Sequence, residues 1–170
     1  TPGETTEIIL GGDIDLTGSL VFGDNSGSPA PTRAGAVKSF VLNLNGKTIT
    51  TTWENEQDGR HHYAILNNAN LVLEGKGAIE ARGIKNFGEM TVNGNVTIKN
   101  IDSNGGAAIW NEGKVTINNG TFISSENAGN GSYGAALNTR SGGEAVVNSG
   151  TFKAYSQLTY AIVNEGKTTI

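Results

Sequence analysis

The stretch Ala108-Ile109-Trp110-Asn111-Glu112-Gly113-Lys114-Val115-Thr116-Ile117-Asn118-Asn119-Gly120-Thr121-Phe122 decides the fold, because both of its halves recur along the chain. The first half returns as Ala64-Ile65-Leu66-Asn67, Gly83-Ile84-Lys85-Asn86 and Ala161-Ile162-Val163-Asn164, with Ala136-Leu137-Asn138-Thr139 as a degenerate copy. The repeated Ile or Leu stands at 65, 84, 109, 137 and 162. Spacings of this size mark a solenoid, in which each repeat buries its apolar side chains only by stacking on its neighbours.

The second half repeats in an alternating pattern. Val115 to Phe122 matches Ala145-Val146-Val147-Asn148-Ser149-Gly150-Thr151-Phe152 position for position, with looser copies at 42–49, 71–79 and 90–98. Alternation of this kind buries one face of a strand and exposes the other. No stretch of ten or more residues carries apolar side chains at helical spacing. One coil therefore holds two or three short strands, and coil upon coil builds parallel sheets. Two inward columns are expected, one of Ile65, Ile84, Ile109, Leu137 and Ile162, the other of Ile49, Ile79, Ile98, Phe122 and Phe152.

Composition agrees with an all-β parallel β-helix of about six to seven coils. Twenty-five glycines among 170 residues supply turns, and the three prolines all precede residue 32, leaving the repeats free to donate ladder hydrogen bonds. The apolar content of 36% suffices where one side chain in two points inward. We read residues 1–170 as one domain: an irregular or capping coil at 1–35, repeat coils at 36–170, and a polar loop at 54–62. Lys167-Thr168-Thr169-Ile170 matches the start of a strand, so the expectation is a segment of a longer chain or a protomer with covered ends.

Asn67, Asn86, Asn111 and Asn164 fall where successive coils leave a strand. Asn tolerates left-handed backbone, and its amide both donates and accepts, so these residues are expected to turn the chain and form a structural ladder. Thr139 replaces the amide in one copy and should interrupt it.

The phrase Leu42-Asn43-Leu44-Asn45-Gly46-Lys47-Thr48-Ile49-Thr50, preceded by Gly12-Asp13-Ile14-Asp15-Leu16 and followed by the Ala-Ile-x-Asn and Gly-Thr-Phe copies, resembles the pectin-lyase-like superfamily. That resemblance implies a right-handed, single-stranded parallel β-helix. It is nearest to surface and adhesin-like repeat proteins of gut bacteria and to phage fibre or decoration proteins. The superfamily also holds lyases and hydrolases, so the likeness specifies fold better than activity.

Enzymes of that kind need converging carboxylates, with or without calcium. Of the acids in the repeats, Glu112 and Glu165 hold equivalent positions, each directly after a ladder Asn. A whole coil separates their copies, which places them roughly 10 Å apart at the strand spacing of a sheet, too far for a retaining carboxylate pair and marginal for an inverting one. Asp13 and Asp15 alternate around Ile14 and share a face; they are the metal candidates, against a reading as solvated outward positions. His61 and His62 are adjacent and point opposite ways if extended, so they make a poor pair of ligands in the polar loop with Asp58 and Arg60. No catalytic residue, metal or cofactor is assigned.

Aromatic side chains are the candidate carbohydrate contacts. Tyr63 and Tyr160 directly precede Ala-Ile copies, Tyr133 stands three residues before one, Trp110 occupies the variable position of another, and Trp53 opens the polar loop. Exposed rings in a row can stack on sugars; packing over turns or against a neighbouring subunit is the alternative.

A net charge of −4 with scattered Lys and Arg offers no basic stripe for nucleic acid. No apolar run approaches a membrane span, and the chain has no cysteine. The expectation is a non-enzymatic structural or adhesion element, extracellular at a cell surface or on a virion, binding a glycan or surface receptor and associating with itself or with neighbouring subunits. A polysaccharide lyase or glycoside hydrolase, and a phage fibre or capsid decoration protein, are the alternatives.

Overall fold

The structure is a computed structural model that describes residues 4–23, 38–51, 63–101, 105–125, 134–155 and 158–170. Among these residues every regular element is a strand, and the strands follow one another in threes. The first coil comprises β1 (Thr5–Ile9), β2 (Ile14–Leu16) and β3 (Leu20–Phe22); the second, β4 (Ser39–Asn43), β5 (Thr48–Thr51) and β6 (Ile65–Asn67). The third is β7 (Asn70–Glu74), β8 (Lys76–Ala81) and β9 (Ile84–Asn86); the fourth, β10 (Glu89–Val92), β11 (Asn95–Asn100) and β12 (Gly106–Asn111). The fifth is β13 (Lys114–Ile117), β14 (Thr121–Ile123) and β15 (Gly134–Thr139); the sixth, β16 (Glu144–Val147), β17 (Thr151–Lys153) and β18 (Thr159–Asn164). β19 (Lys167–Thr169) begins a seventh.

The first strand of each coil joins one sheet, in the order β1-β4-β7-β10-β13-β16-β19. The second strands form the sheet β2-β5-β8-β11-β14-β17, and the third strands the sheet β3-β6-β9-β12-β15-β18. The neighbouring pairs are parallel. This is a parallel β-helix of six complete coils and part of another. The first coil is in register with the second along all three sheets. Within the stretch read as an irregular or capping coil, residues 4–23 form a regular rung, and the rest of 1–35 lies outside the described residues.

Both expected columns are present, and each extends one coil further. Leu20, Ile65, Ile84, Ile109, Leu137 and Ile162 are successive register partners. So are Ile14, Ile49, Ile79, Ile98, Phe122 and Phe152. The first sheet adds Leu42, Leu73, Val92, Ile117 and Val147. Ile49, Ile65, Ile84, Ile98, Ile109 and Phe122 are fully buried, each worth about 1.5–3 kcal/mol relative to exposure. The Phe122 and Phe152 rings stack with centroids 5.0 Å apart.

The turn after each ladder Asn is short because coils touch there. A Cβ on Gly113 would run into the backbone of Phe87 and Gly88 one coil away, and one on Gly88 into Ala69. Neither glycine has positive φ. Close approach of backbone to backbone, rather than left-handed geometry, selects glycine at these turns.

Candidate functional site

The ladder asparagines close strands β6, β9 and β12 and are fully buried. The Asn67 amide donates to Asn86 Oδ1 at 2.7 Å, and the Asn86 amide to Asn111 Oδ1 at 2.7 Å. The same amides reach backbone carbonyls, Asn67 to those of Ala69 and Glu89 and Asn86 to those of Gly88 and Lys114. Asn67 Oδ1 accepts from the Ala69 N–H, so the side chain bridges the turn. Left-handed backbone has no part in this: among the described residues Asn45 is the one non-glycine with positive φ. The ladder Asn ends a strand in extended geometry, and its side chain guides the following bend.

At the next rung stands Thr139, and the amide row stops. Asn111 Nδ2 keeps the backbone contact that Asn67 and Asn86 also make, donating to the Glu144 carbonyl at 2.9 Å, but has no amide beyond it. Asn164, the register partner of Thr139, accepts from Thr168 Oγ1 at 3.0 Å, and Thr168 also meets Thr139 Oγ1 at 3.2 Å.

A second amide row, not singled out by the sequence reading, runs along the corner between the first two sheets. Asn118 donates to Asn93 Oδ1 and Asn148 to Asn118 Oδ1, both at 2.7 Å, all three side chains being exposed. Its signal was legible, since each Asn directly follows the first-sheet strand in the copies at 90–98, 115–122 and 145–152.

The outer face of the third sheet gathers the aromatic and charged candidates. Leu66, Lys85, Trp110, Asn138 and Val163 are successive partners on it. Just past the strand ends come Phe87, Glu112, Arg140 and Glu165. The half-buried Trp110 donates its indole N–H to Glu112 Oε1 at 2.8 Å, and the Arg140 guanidinium lies 4.7 Å from its ring centre. Lys85 Nζ is 3.2 Å from Glu112 Oε1 and sits 4.7 Å from the Phe87 ring centre.

Tyr63 leans on Trp110 with centroids 6.4 Å apart, is 6% exposed, and carries the Arg82 guanidinium 5.1 Å from its ring centre. Gly106 makes room for Arg82, because a Cβ there would come within 3.1 Å of the guanidinium. Of its two readings Tyr63 fits the packed ring and not the exposed one, and the cation takes the ring face a sugar would use. Tyr160 is 47% exposed. Trp53 and Tyr133 lie outside the described residues, as do His61, His62, Asp58 and Arg60. Among the described residues, neither polar side-chain atom of the buried Asn68 nor the carbonyl of the buried Asn138 has a hydrogen-bond partner.

Carboxylates in this region are drawn into pairs. Glu112 and Glu165 stand two rungs apart with Arg140 on the rung between them, and Arg140 binds Glu165 at 2.7 Å. Asp13 Oδ1 accepts from the Thr48 N–H at 2.8 Å, and Asp15 Oδ1 from Thr50 Oγ1 at 3.2 Å, so both tie the first coil to the second. Among the described residues no group of three or more His, Cys, Asp and Glu is placed to hold a metal ion, and no helix is long and apolar enough to cross a membrane.

Compared with known proteins, the chain matches no family model, no curated protein and no solved structure, so its architecture and surface chemistry are what define it.

Proposed function

We propose that the chain is a non-enzymatic structural element, a stiff β-helical segment of an extracellular surface or fibre-type protein on a cell or virion. One observation carries this reading: polar side chains on the surface are joined along the stack, each to the coil next to it. Glu89 with Lys114, Lys85 with Glu112, Arg140 with Glu165 and Glu144 with Lys167 all bridge adjacent coils. Both amide rows do the same. A glycoside hydrolase needs two carboxylates converging on its substrate, whereas here the charges are paired between coils. Exposed pairs contribute at most about 1 kcal/mol each, but every one acts along the same axis.

Immunolabelling of intact cells or particles from the native source tests the location, with surface labelling expected; label found only after permeabilisation refutes it. Incubation with pectins and glycosaminoglycans tests the absence of catalysis. Unsaturated products or new reducing ends above a heat-treated control would overturn the structural reading.

A second reading, carbohydrate contact on the third sheet, is supported by the exposed Tyr160 and by Asn138, the register partner of Trp110, whose carbonyl has no partner among the described residues; Arg140 covers one face of Trp110 itself. A glycan array probed with the chain and its Trp110→Ala variant tests it: binding lost in the variant supports the contact, and no binding by the parent refutes it.

A further inference from the structure

The outward face of the first sheet has three columns. At the start of its strands, Glu89, Lys114, Glu144 and Lys167 are register partners in that order, alternating in sign from coil to coil. Next to them run Thr91, Thr116, Val146 and Thr169. Beyond lie Asn93, Asn118 and Asn148. The charged side chains stand well clear of the surface, 64% exposed at Glu89, 65% at Lys114, 50% at Glu144 and 74% at Lys167.

Besides serving the axial pairs of Glu89 with Lys114 and Glu144 with Lys167, this alternation has a twofold relation about its midpoint. A half-turn about a line running along the strands between β13 and β16 exchanges Lys114 with Glu144 and Glu89 with Lys167. Each position is thereby carried onto one of opposite sign. In the adjoining turns Glu112 exchanges with Arg140, also of opposite sign, while Glu165 exchanges with the uncharged Phe87. A surface whose charges invert under a twofold rotation is complementary to itself, which is the condition for an isologous dimer.

We infer that the outer face of the first sheet, over β10, β13, β16 and β19, docks a second copy of this chain with the two stacks antiparallel. In that arrangement Glu89 faces Lys167 of the second copy and Lys114 faces its Glu144, twice each by symmetry. Thr116 and Val146 meet across the axis, where Val146 is 40% exposed in the single chain. Sign excludes an axis on a strand, since moving it onto β13 sets Lys114 against its own copy and Glu89 against Glu144. Axes between β10 and β13 or between β16 and β19 keep opposite signs together but make two such pairs instead of four. Laying the stacks parallel instead sets the charged column against the asparagines and forfeits the match. Four strands at about 4.8 Å each make a face about 20 Å tall, which places the contact in the small, transient class. Its charges are exposed, so association weakens as salt rises.

Charge-reversal variants test the pairing directly. Glu89→Lys with Glu144→Lys makes the column entirely basic, and Lys114→Glu with Lys167→Glu makes it entirely acidic. Circular dichroism first establishes that each variant keeps the β-sheet spectrum of the parent. Sedimentation equilibrium at low ionic strength, at up to about 1 mM chain, is expected to show the parent dimerising, each variant alone at least about tenfold weaker, and an equimolar mixture of the two recovering a dimer. A parent that stays monomeric throughout, variants that dimerise as well as the parent, or a mixture of folded variants that fails to recover association would each overturn the inference.

Discussion

Two amide rows with the same 2.7 Å bonds but opposite burial allow the contribution of a buried asparagine ladder to be measured inside one protein. Asn86 is fully buried; its Oδ1 accepts from Asn67, and its two amide hydrogens are shared among Asn111 Oδ1 and the carbonyls of Lys114 and Gly88. In Asn86→Ala, Gly88 O keeps the Lys114 N–H and Asn67 keeps the carbonyls of Ala69 and Glu89, but Asn111 Oδ1 loses its donor in a site closed to solvent. At about 1 kcal/mol per net hydrogen bond, with a further 1–3 kcal/mol for a stranded buried acceptor and some relaxation, the loss comes to about 3–5 kcal/mol. Asn118→Ala removes two bonds of equal length from an exposed row whose partners regain water, so it should cost less than about 1 kcal/mol. Equilibrium urea unfolding of both variants, followed by far-UV circular dichroism and tryptophan fluorescence with coincident transitions required, gives the two values. If Asn86→Ala costs no more than Asn118→Ala, burial is not what gives the inner ladder its strength and the argument fails.

Other perturbations probe the packing. Gly113→Ala drives a Cβ into the backbone of the neighbouring coil and should cost about 2 kcal/mol or more, whereas Gly12→Ala, with nothing within 4 Å of its Cβ and no positive φ, should stay within about 0.5 kcal/mol; thermal melts compare them. Phe122→Ala empties a fully buried site and should lose about 3–5 kcal/mol, with Phe152→Ala losing less because it is only partly buried; urea midpoints decide the order. Arg140→Ala removes both the cation beside Trp110 and the Glu165 pair, at about 1 kcal/mol. Its readout is tryptophan emission, which should move to longer wavelength as the ring gains water; an unchanged spectrum would mean that Arg140 does not shield Trp110.

Much of the architecture was legible because inward positions obey a local rule. Alternation told Ile109 from Trp110 and Ile117 from Thr116, and stacking identical phrases aligned them into columns that the register reproduces. The glycine turns were equally visible, although their cause was not. Gly113 looked like a residue chosen for backbone freedom and is instead one that leaves no room for a side chain. The expected left-handed asparagines failed for a related reason. A short turn can be guided by an amide bridging its carbonyl and N–H groups, so the backbone need not adopt a rare conformation.

The surface was harder, since it depends on which side chains meet across coils of unequal length. From the chain alone, Glu112 and Glu165 were two acids at equivalent positions; that Arg140 would stand on the rung between them depends on a degenerate copy lacking the usual Asn-Glu-Gly. Tyr63 had the spacing of an exposed ring, but Arg82, one rung on, covers it, and Gly106 one rung further gives that guanidinium its space.

By itself the sequence determined a β-helix, its core columns and its buried amide row, because period-two alternation and a repeated phrase constrain every coil in the same way. Only the tertiary structure decided how the charges and rings of successive coils combine into pairs running along the stack. That outcome rests on contacts between coils, such as that of Arg140 with Glu165, 25 positions away, which no local pattern encodes.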